Sequence, residues 1–376
     1  MYLVNKISFL LLLFTFISCN NKESKASENT INNEIKHAKG LSIITKENYS
    51  IVEVTSPWPN AKKKYSYILK KKNSVIPTEY KNFTQIQVPI KTIVLTSTTH
   101  IPSLEMLGEE NKLIGFPNLN YISSEKVRNL IDAEKIKELG SNQSLNTEVL
   151  INLQPDIIMG YGLDNSNLTL DNLERNGLKV ILNGDWNEQS PLGKVEWIKL
   201  FGVLFGKEKQ ANEIFNSIEK TYNETLKLVE KTKTKPTVFS GSLYEDKWYL
   251  PQGESWGAKF ITNANGNYLW AKTKGTGSLS LSFEKVYSTA KNADIWFMDQ
   301  YTTLEEIKNA NPHYSQFKAY KTKNIYSFSK KKGKTGGVIY YELAPNRPDL
   351  VLKDLVKIFH PELLPNYQLY FFEKLL

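Results

Sequence analysis

Thr147-Glu148-Val149-Leu150-Ile151-Asn152-Leu153-Gln154-Pro155-Asp156-Ile157-Ile158-Met159 is the stretch on which the reading of the fold turns. Glu148 to Leu153 reads as a helix that must stop before Pro155, because proline lacks an N–H and pushes the residue before it out of helical geometry. Ile157-Ile158-Met159 is apolar at every position, the pattern of a short strand buried on both faces. Upstream, Thr92-Ile93-Val94-Leu95 is a strand, Ile101 to Leu107 a helix closed by Gly108, and Leu113-Ile114-Gly115-Phe116 a second strand. Downstream come a helix from Leu168 to Asn176 with Gly177 at its end and a strand at Val180-Ile181-Leu182. Apolar strands alternating with helices predict a mainly parallel sheet covered on both faces.

The pattern returns later in the chain. Thr237 to Ser240 and Asp294 to Met298 are strands, Gly257 to Asn263 and Phe283 to Ala290 are helices, Lys323 to Ser327 is a further strand, and Pro348 to Phe359 is a terminal helix. Phe283-Glu284 through Asp294-Ile295-Trp296-Phe297 repeats the order helix, Asp, strand, with ten residues from Glu to Asp against eight in the first copy. Between the halves, Ser190-Pro191 opens a helical stretch, Ser as cap and Pro in the first turn. After a break at Gly206, Ile214, Ile218, Tyr222, Leu226 and Val229 form one apolar stripe. If continuous over 208–233, this helix spans roughly 40 Å, a strut between domains rather than a crossover within one. The prediction is an α/β fold of two lobes, 91–189 and 236–376, joined by a long rigid linker helix within 190–235, with a ligand cleft between the lobes. Residues 41–90, with alternating runs such as Tyr49 to Val54 and Tyr65 to Leu69, read as a small antiparallel β extension.

The front of the chain reads as an export signal. Lys6 precedes an apolar run from Ile7 to Ile17, and about 11 residues are too few to cross a hydrocarbon core of roughly 30 Å. Ser18-Cys19 then resembles the lipobox of bacterial lipoproteins, and Cys19 is the one cysteine of the chain. The resemblance implies removal of a 1–19 leader, lipidation at Cys19 and a membrane-tethered protein facing the periplasm. Residues 20–40, almost devoid of apolar side chains, read as a disordered tether. With no second cysteine the folded part has no internal disulfide and relies on its core. The net charge of +9 sits in lysine runs without nucleic-acid motifs, which points to a solvated or lipid-facing surface and not to nucleic acid. Aromatics make up 12% of the residues, more than a core requires, and a cleft is one place for the surplus.

At this point the chain resembles the class III substrate-binding proteins of ABC importers, over about residues 90–376. The resemblance rests on the order of motifs: the strand, Thr-rich loop and helix from Ile93 to Gly108, the strand Leu113 to Phe116, Leu139-Gly140, the Glu-containing helix, Gln154-Pro155-Asp156-Ile157-Ile158, and the central helix. Ser190 to Gly202 and the tail from Arg347 to Glu362 look like a Bacteroidetes-type branch assigned to iron-complex uptake. The resemblance implies a monomeric binding protein that delivers a ferric siderophore to a permease dimer driven by its ATPase, with cobalamin or haem as alternative ligands and no cofactor. It also implies that Glu148 and Glu284, one per lobe, dock on permease arginines. Each Glu equally suits the start of its helix.

Such a ligand needs flat aromatic walls and a few donors, not direct protein ligands to a metal. Loops after the strands offer Tyr121 and Tyr161 in the first lobe, Trp186 before the linker, and Trp248, Trp256, Trp270, Tyr301 and Tyr340 in the second. His100 follows the loop Thr96 to Thr99 at the carboxyl end of the first strand, an edge where open α/β sheets bind ligands. Arg347 is a candidate anchor for an anionic chelate, against the alternative of an ion pair with Asp349. The four histidines are scattered without paired spacings, so direct metal capture is not expected. Lys334-Thr335-Gly336-Gly337 reads as a mobile loop. No nucleophile elbow, zinc-protease motif or nucleophilic Cys appears, which disfavours an enzyme, and two lobes about a cleft disfavour a purely structural lipoprotein.

Overall fold

The computed structural model describes residues 33–164 and 168–376, so the leader with Cys19 and the tether as far as residue 32 lie outside the described residues. The N-terminal strands are β1 Leu41–Thr45, β2 Tyr49–Val54, β3 Tyr65–Lys70 and β4 Thr84–Gln87, in that order across one sheet. The first three are antiparallel, but β4 runs parallel to β3. The connection 71–83 makes that departure possible, since a parallel pair needs a crossover of about a dozen residues.

Residues 33–40 are not a loose tether. The N–H groups of Lys36, His37 and Ala38 donate to the Glu196 carboxylate at 2.9, 2.6 and 2.9 Å, and those of Lys39 and Gly40 donate to Glu188 at 2.9 Å. Composition did not reveal this strap because it is held by backbone donors, which every non-proline residue carries.

The first lobe comprises β5 Ile93–Leu95, α1 Ile101–Leu107, β6 Leu113–Phe116, α2 Glu125–Asp132, β7 Lys137–Glu138, the hairpin β8 Gly140–Ser141 and β9 Ser144–Leu145, α3 Thr147–Leu153, β10 Ile157–Gly160, α4 Leu168–Arg175 and β11 Val180–Leu182. Its parallel sheet has the order β11-β10-β5-β6-β7. Every residue of β5, β10 and β11 is buried, as their unbroken apolar sequences require.

The linker is three helices, α5 Pro191–Glu196, α6 Ile198–Phe205 and α7 Glu208–Val229. The Ser190 hydroxyl caps the first by accepting the Gly193 N–H at 2.9 Å, and Gly206 ends the second in the left-handed region at φ 66°. At 22 residues α7 is about 33 Å long, and it packs on α6 and on the terminal helix of the second lobe.

The second lobe comprises β12 Thr237–Ser240, β13 Ser242–Tyr244, β14 Lys247–Pro251, α8 Trp256–Asn263, β15 Asn267–Tyr268, β16 Ser278–Leu281, α9 Phe283–Ala290, β17 Ile295–Met298, α10 Leu304–Ala310, α11 Lys318–Lys321, β18 Ile325–Ser327, α12 Ile339–Leu343, α13 Pro348–Phe359 and β19 Glu373–Lys374. Its main sheet runs β15-β12-β17-β18-β19, parallel except for β19, and β13-β14-β16 form an additional antiparallel sheet.

The echo between the halves has a structural basis. Asp156 accepts the Lys91 and Thr92 N–H groups at 2.6 and 3.1 Å, and its own N–H donates to Thr92 Oγ1 at 2.9 Å. Asp294 does the same for Thr237, accepting from N–H and hydroxyl at 2.8 and 2.7 Å and donating its N–H back at 3.0 Å. Each Asp–Thr clasp fixes the starting register of the central parallel pair, β5 with β10 in one lobe and β12 with β17 in the other.

Residues 33–376 form one compact unit, with several groups crossing between the lobes. Asn346 accepts from the Ser103 hydroxyl at 3.0 Å and donates to the Thr99 carbonyl at 2.7 Å. Residues 331–339, expected to include a mobile loop, form a hairpin-like turn laid on the first lobe. Lys332 bridges to Val338, Thr335 donates its hydroxyl to the Asn120 carbonyl at 2.7 Å, and Lys334 pairs with Asp132 at 2.7 Å. A Cβ on Gly333 would stand 2.7 Å from Ser123 Cα, and one on Gly337 would stand 2.6 Å from Ser123 Oγ. These two glycines let the turn lie flat.

Candidate ligand cleft

In each sheet the chain moves outward in both directions from a central pair, so a crevice opens at the carboxyl ends of β5 and β10 and of β12 and β17. Such switch points are where open α/β sheets take ligands. Both crevices hold a pocket. In the first lobe it is lined by Thr96 after β5, Tyr161 after β10, Asn142 and Gln143 from the β8–β9 turn, and Leu163 and Asp164. Asn142 donates to the Tyr161 hydroxyl at 3.3 Å.

The second pocket is more aromatic. Ser240 and Gly241 end β12, Met298 and Asp299 end β17, and Tyr249, Trp256, Phe328, Tyr340 and Tyr341 wall it. Tyr340 stacks on Phe328 with centroids 4.1 Å apart and on Trp256 at 5.9 Å, while Tyr341 meets Phe328 edge-on at 5.4 Å. Crowding by protein pushes the Asp299 carboxyl above its usual range, and burial followed by the Asp299 charge pushes the Tyr341 phenol up to about 12. A cavity of about 350 Å³ with stacked rings and few polar groups has the make-up of a small-molecule site.

Of the residues the sequence offered to a cleft, Tyr161 lines the first pocket and Trp256 and Tyr340 the second. Trp186 is partly exposed in the linker loop, and its carbonyl accepts the Lys194 ammonium at 2.7 Å. That ammonium lies 5.8 Å from the Trp256 ring centroid, which ties the loop to the second wall. Tyr121 is exposed beside the glycine turn, and Tyr301 is half-buried away from both pockets.

Three candidates are core residues instead. Trp248 is fully buried, packed on Phe239, Trp296, Tyr314 and Phe317, with its N–H on the Ser240 carbonyl at 2.9 Å. Trp270 is buried beside Tyr268. His100 is 1% exposed, packed on Phe201, with Nε2 3.6 Å from Asp185 Oδ1. Burial alone would raise the Asp185 carboxyl, but His100, Lys194 and the Thr99 hydroxyl outweigh it and hold the group below its usual range. This is a structural junction at the linker, not a cleft contact. The sequence reading missed Tyr249, Phe328, Tyr341 and Asp299. Phe328 and Asp299 each directly follow a strand, which is the one signal that marked them.

Arg347 is not in the aromatic pocket. Its guanidinium grips buried Asp349 through two bonds of 2.9 and 2.8 Å and lines a separate groove between the lobes. In that groove Glu342 accepts the N–H groups of Ser123 and Ser124 at 2.7 and 2.9 Å. Burial pushes the Glu342 carboxyl up to about 7 against those two bonds, and burial raises neighbouring Glu105 as well. Glu148 and Glu284 are exposed in the first turns of α3 and α9, behind Asn146 and Ser282 caps. Among the described residues, no group of three or more His, Cys, Asp and Glu is placed to hold a metal ion, and no helix is long and apolar enough to cross a membrane.

The chain is 29% identical over 373 residues to MJ0878, an uncharacterised lipoprotein of Methanocaldococcus jannaschii, covering 93% of this chain and 87% of that one. A second lipoprotein of that organism, MJ0872, is 28% identical over 289 residues, covering 74% and 72%. Among solved structures, a possible iron-binding periplasmic solute-binding protein of Staphylococcus epidermidis superposes with a TM-score of 0.56 at 20% identity, over 72% of this chain and 98% of that one. Helicobacter pylori CeuE with Ni(II) bound gives 0.56 at 19%, over 75% and 88%. The periplasmic heme-binding protein HutB of Vibrio cholerae gives 0.54 at 16%, over 70% and 99%. At these identities the structural likeness is one of fold. The family model for periplasmic binding proteins matches residues 93–331, from the first strand of the first lobe to the start of the glycine turn, so the chain belongs to the periplasmic binding protein family.

Proposed function

We propose that this protein captures a ferric siderophore in the cleft between its lobes and delivers it to the permease of an ABC importer. The observation that carries the reading is the pair of pockets at the switch points of the two sheets, one walled by stacked Trp256, Tyr340 and Phe328. The naming of structural neighbours as a possible iron-binding protein, a heme-binding protein and, in Listeria monocytogenes, an ABC transporter substrate-binding protein supports the ligand class and the partner. Cobalamin and haem are the alternative occupants. In this reading Cys19 carries the lipid that holds the chain at the membrane, on its periplasmic side, and related chains named lipoproteins support it.

Glu148 and Glu284 are proposed as the docking pair. They occupy equivalent places, each in the first turn of the helix that precedes an Asp–Thr clasp. The Glu284 carboxyl is held below its usual range by its own N–H and the Ser282 hydroxyl, so it stays charged for a permease arginine. Tryptophan-fluorescence titration of the full-length chain with ferric hydroxamate, ferric catecholate, cobalamin and haemin tests the ligand. Saturable sub-micromolar quenching by one of them is expected, and no binding by any would overturn the reading. Charge reversal at both glutamates should abolish uptake while leaving affinity unchanged. Lost affinity would move the two residues out of the docking role.

A further inference from the structure

We propose that the cleft selects its chelate by charge, accepting a cationic or neutral complex and rejecting an anionic one. The inference rests on the reading of the cleft as the chelate site. About one residue in eight of the chain is Lys or Arg, yet no Lys, Arg or His lines either pocket among the described residues. The charged residues that do line them are Asp164 in the first lobe and Asp299 in the second.

Arg347 and Lys194 bear on this. Arg347, the residue the sequence offered to an anion, pairs side-on through Nε and Nη2 with Asp349 and faces the other groove. Lys194 approaches the Trp256 ring but is buried, donates to the carbonyls of Asp185 and Trp186 at 3.0 and 2.7 Å, and has the Asp185 and Glu188 charges beside it. Arg347 thus lies outside both pockets, and the Lys194 ammonium is committed to carbonyls.

The aromatic wall has the same polarity. Tyr249 and Tyr341 are the exposed rings of this wall, and an aromatic face carries the negative side of the ring quadrupole, which attracts a cation and repels an anion. A trianionic complex entering here would lose hydration without gaining a counter-charge. A cation would gain Asp299 at the mouth and ring faces along the wall. The net charge of +9 attracts anions at long range, so the discrimination is local, against the overall field.

Three ferric complexes that differ in charge test this: a monocationic linear trihydroxamate, a neutral cyclic trihydroxamate and a trianionic tricatecholate. Each is titrated into the full-length chain by tryptophan fluorescence at low and high salt. The cationic complex should bind at least about tenfold tighter than the tricatecholate at low salt, with the gap narrowing as salt screens it. Asp299→Asn should weaken the cationic complex by about tenfold and leave the neutral one unchanged. Asp299→Asn is nearly isosteric and keeps the fold, and Asp299→Lys should reverse the order. Tightest binding of the tricatecholate, or indifference of the cationic complex to Asp299→Asn, overturns the charge inference and leaves the chelate reading standing. Binding of none of the three hydroxamate and catecholate complexes removes the siderophore reading, and the charge inference falls with it.

Discussion

Trp248 and Trp256 lie eight residues apart and have opposite roles. Trp248 fills the core of the second lobe, whereas Trp256 offers a ring to the cleft. Trp248→Ala should cost about 3–5 kcal/mol of stability in chemical denaturation. Trp256→Ala should leave the fold in place and weaken the ligand by one to two orders of magnitude in the same titration, since stacking on a flat ligand is lost. Glu196 is a third case. Burial would raise its carboxyl, but Lys199 and the three backbone donors of the strap outweigh burial and hold it low. Glu196→Ala leaves Lys199 buried without its partner and frees three N–H groups, so a loss of about 3–5 kcal/mol is expected. An unfolding midpoint unchanged from the parent would show that the strap carries no stability.

At the scale of elements, the glycine turn of the second lobe and the α2 region of the first form a clasp across the lobes. Its fit depends on Gly333 and Gly337, where a side chain would meet Ser123. Gly333→Ala, whose Cβ would stand 2.7 Å from Ser123 Cα, should cost about 1–3 kcal/mol through overpacking and raise hydrogen exchange of residues 331–339. Lys334→Ala removes only an exposed, solvent-screened ion pair with Asp132 and should leave exchange nearly unchanged. Exchange that rises in the Lys334 variant and not in the glycine variant would mean that the turn is held by charge and not by shape.

For the whole molecule, the lobes meet through Glu342. Its folded carboxyl is pushed up to about 7 from an ordinary value of 4.5. Between those values the folded chain holds the proton more tightly than the unfolded chain. This stabilising contribution, about 3 kcal/mol, is therefore complete below the window and lost as the pH rises through 7. Glu105, raised in the same direction, adds to it, and Lys126 opposes the rise at Glu105. Opening the lobes would hydrate Glu342, so mild acid favours the closed arrangement. Thermal unfolding of Glu342→Gln between pH 5 and 8 should show a flatter pH profile than the parent, with Glu105 supplying the remaining slope. An unchanged profile would remove Glu342 from the account.

Much of the architecture was legible in the sequence because its determinants are local. Unbroken apolar triplets specify strands buried on both faces, Pro155, Gly108 and Gly206 set helix limits, Ser190 caps its helix, and an Asp before a strand in each half marks the register clasp. Each of these acts within a few residues of itself, through hydrogen bonds and allowed backbone angles. What only the tertiary structure decided is which partners distant residues find. The strap reaches Glu188 and Glu196 across about 150 residues of chain, Glu342 reaches Ser123 across more than 200, and Trp248 and His100 become core because remote rings close over them. The charge of the cleft belongs to this second class. Arg347 is removed from it by a neighbouring Asp, and its aromatic wall is assembled from β14, α8, the end of β18 and α12, which come together only when the sheet is folded.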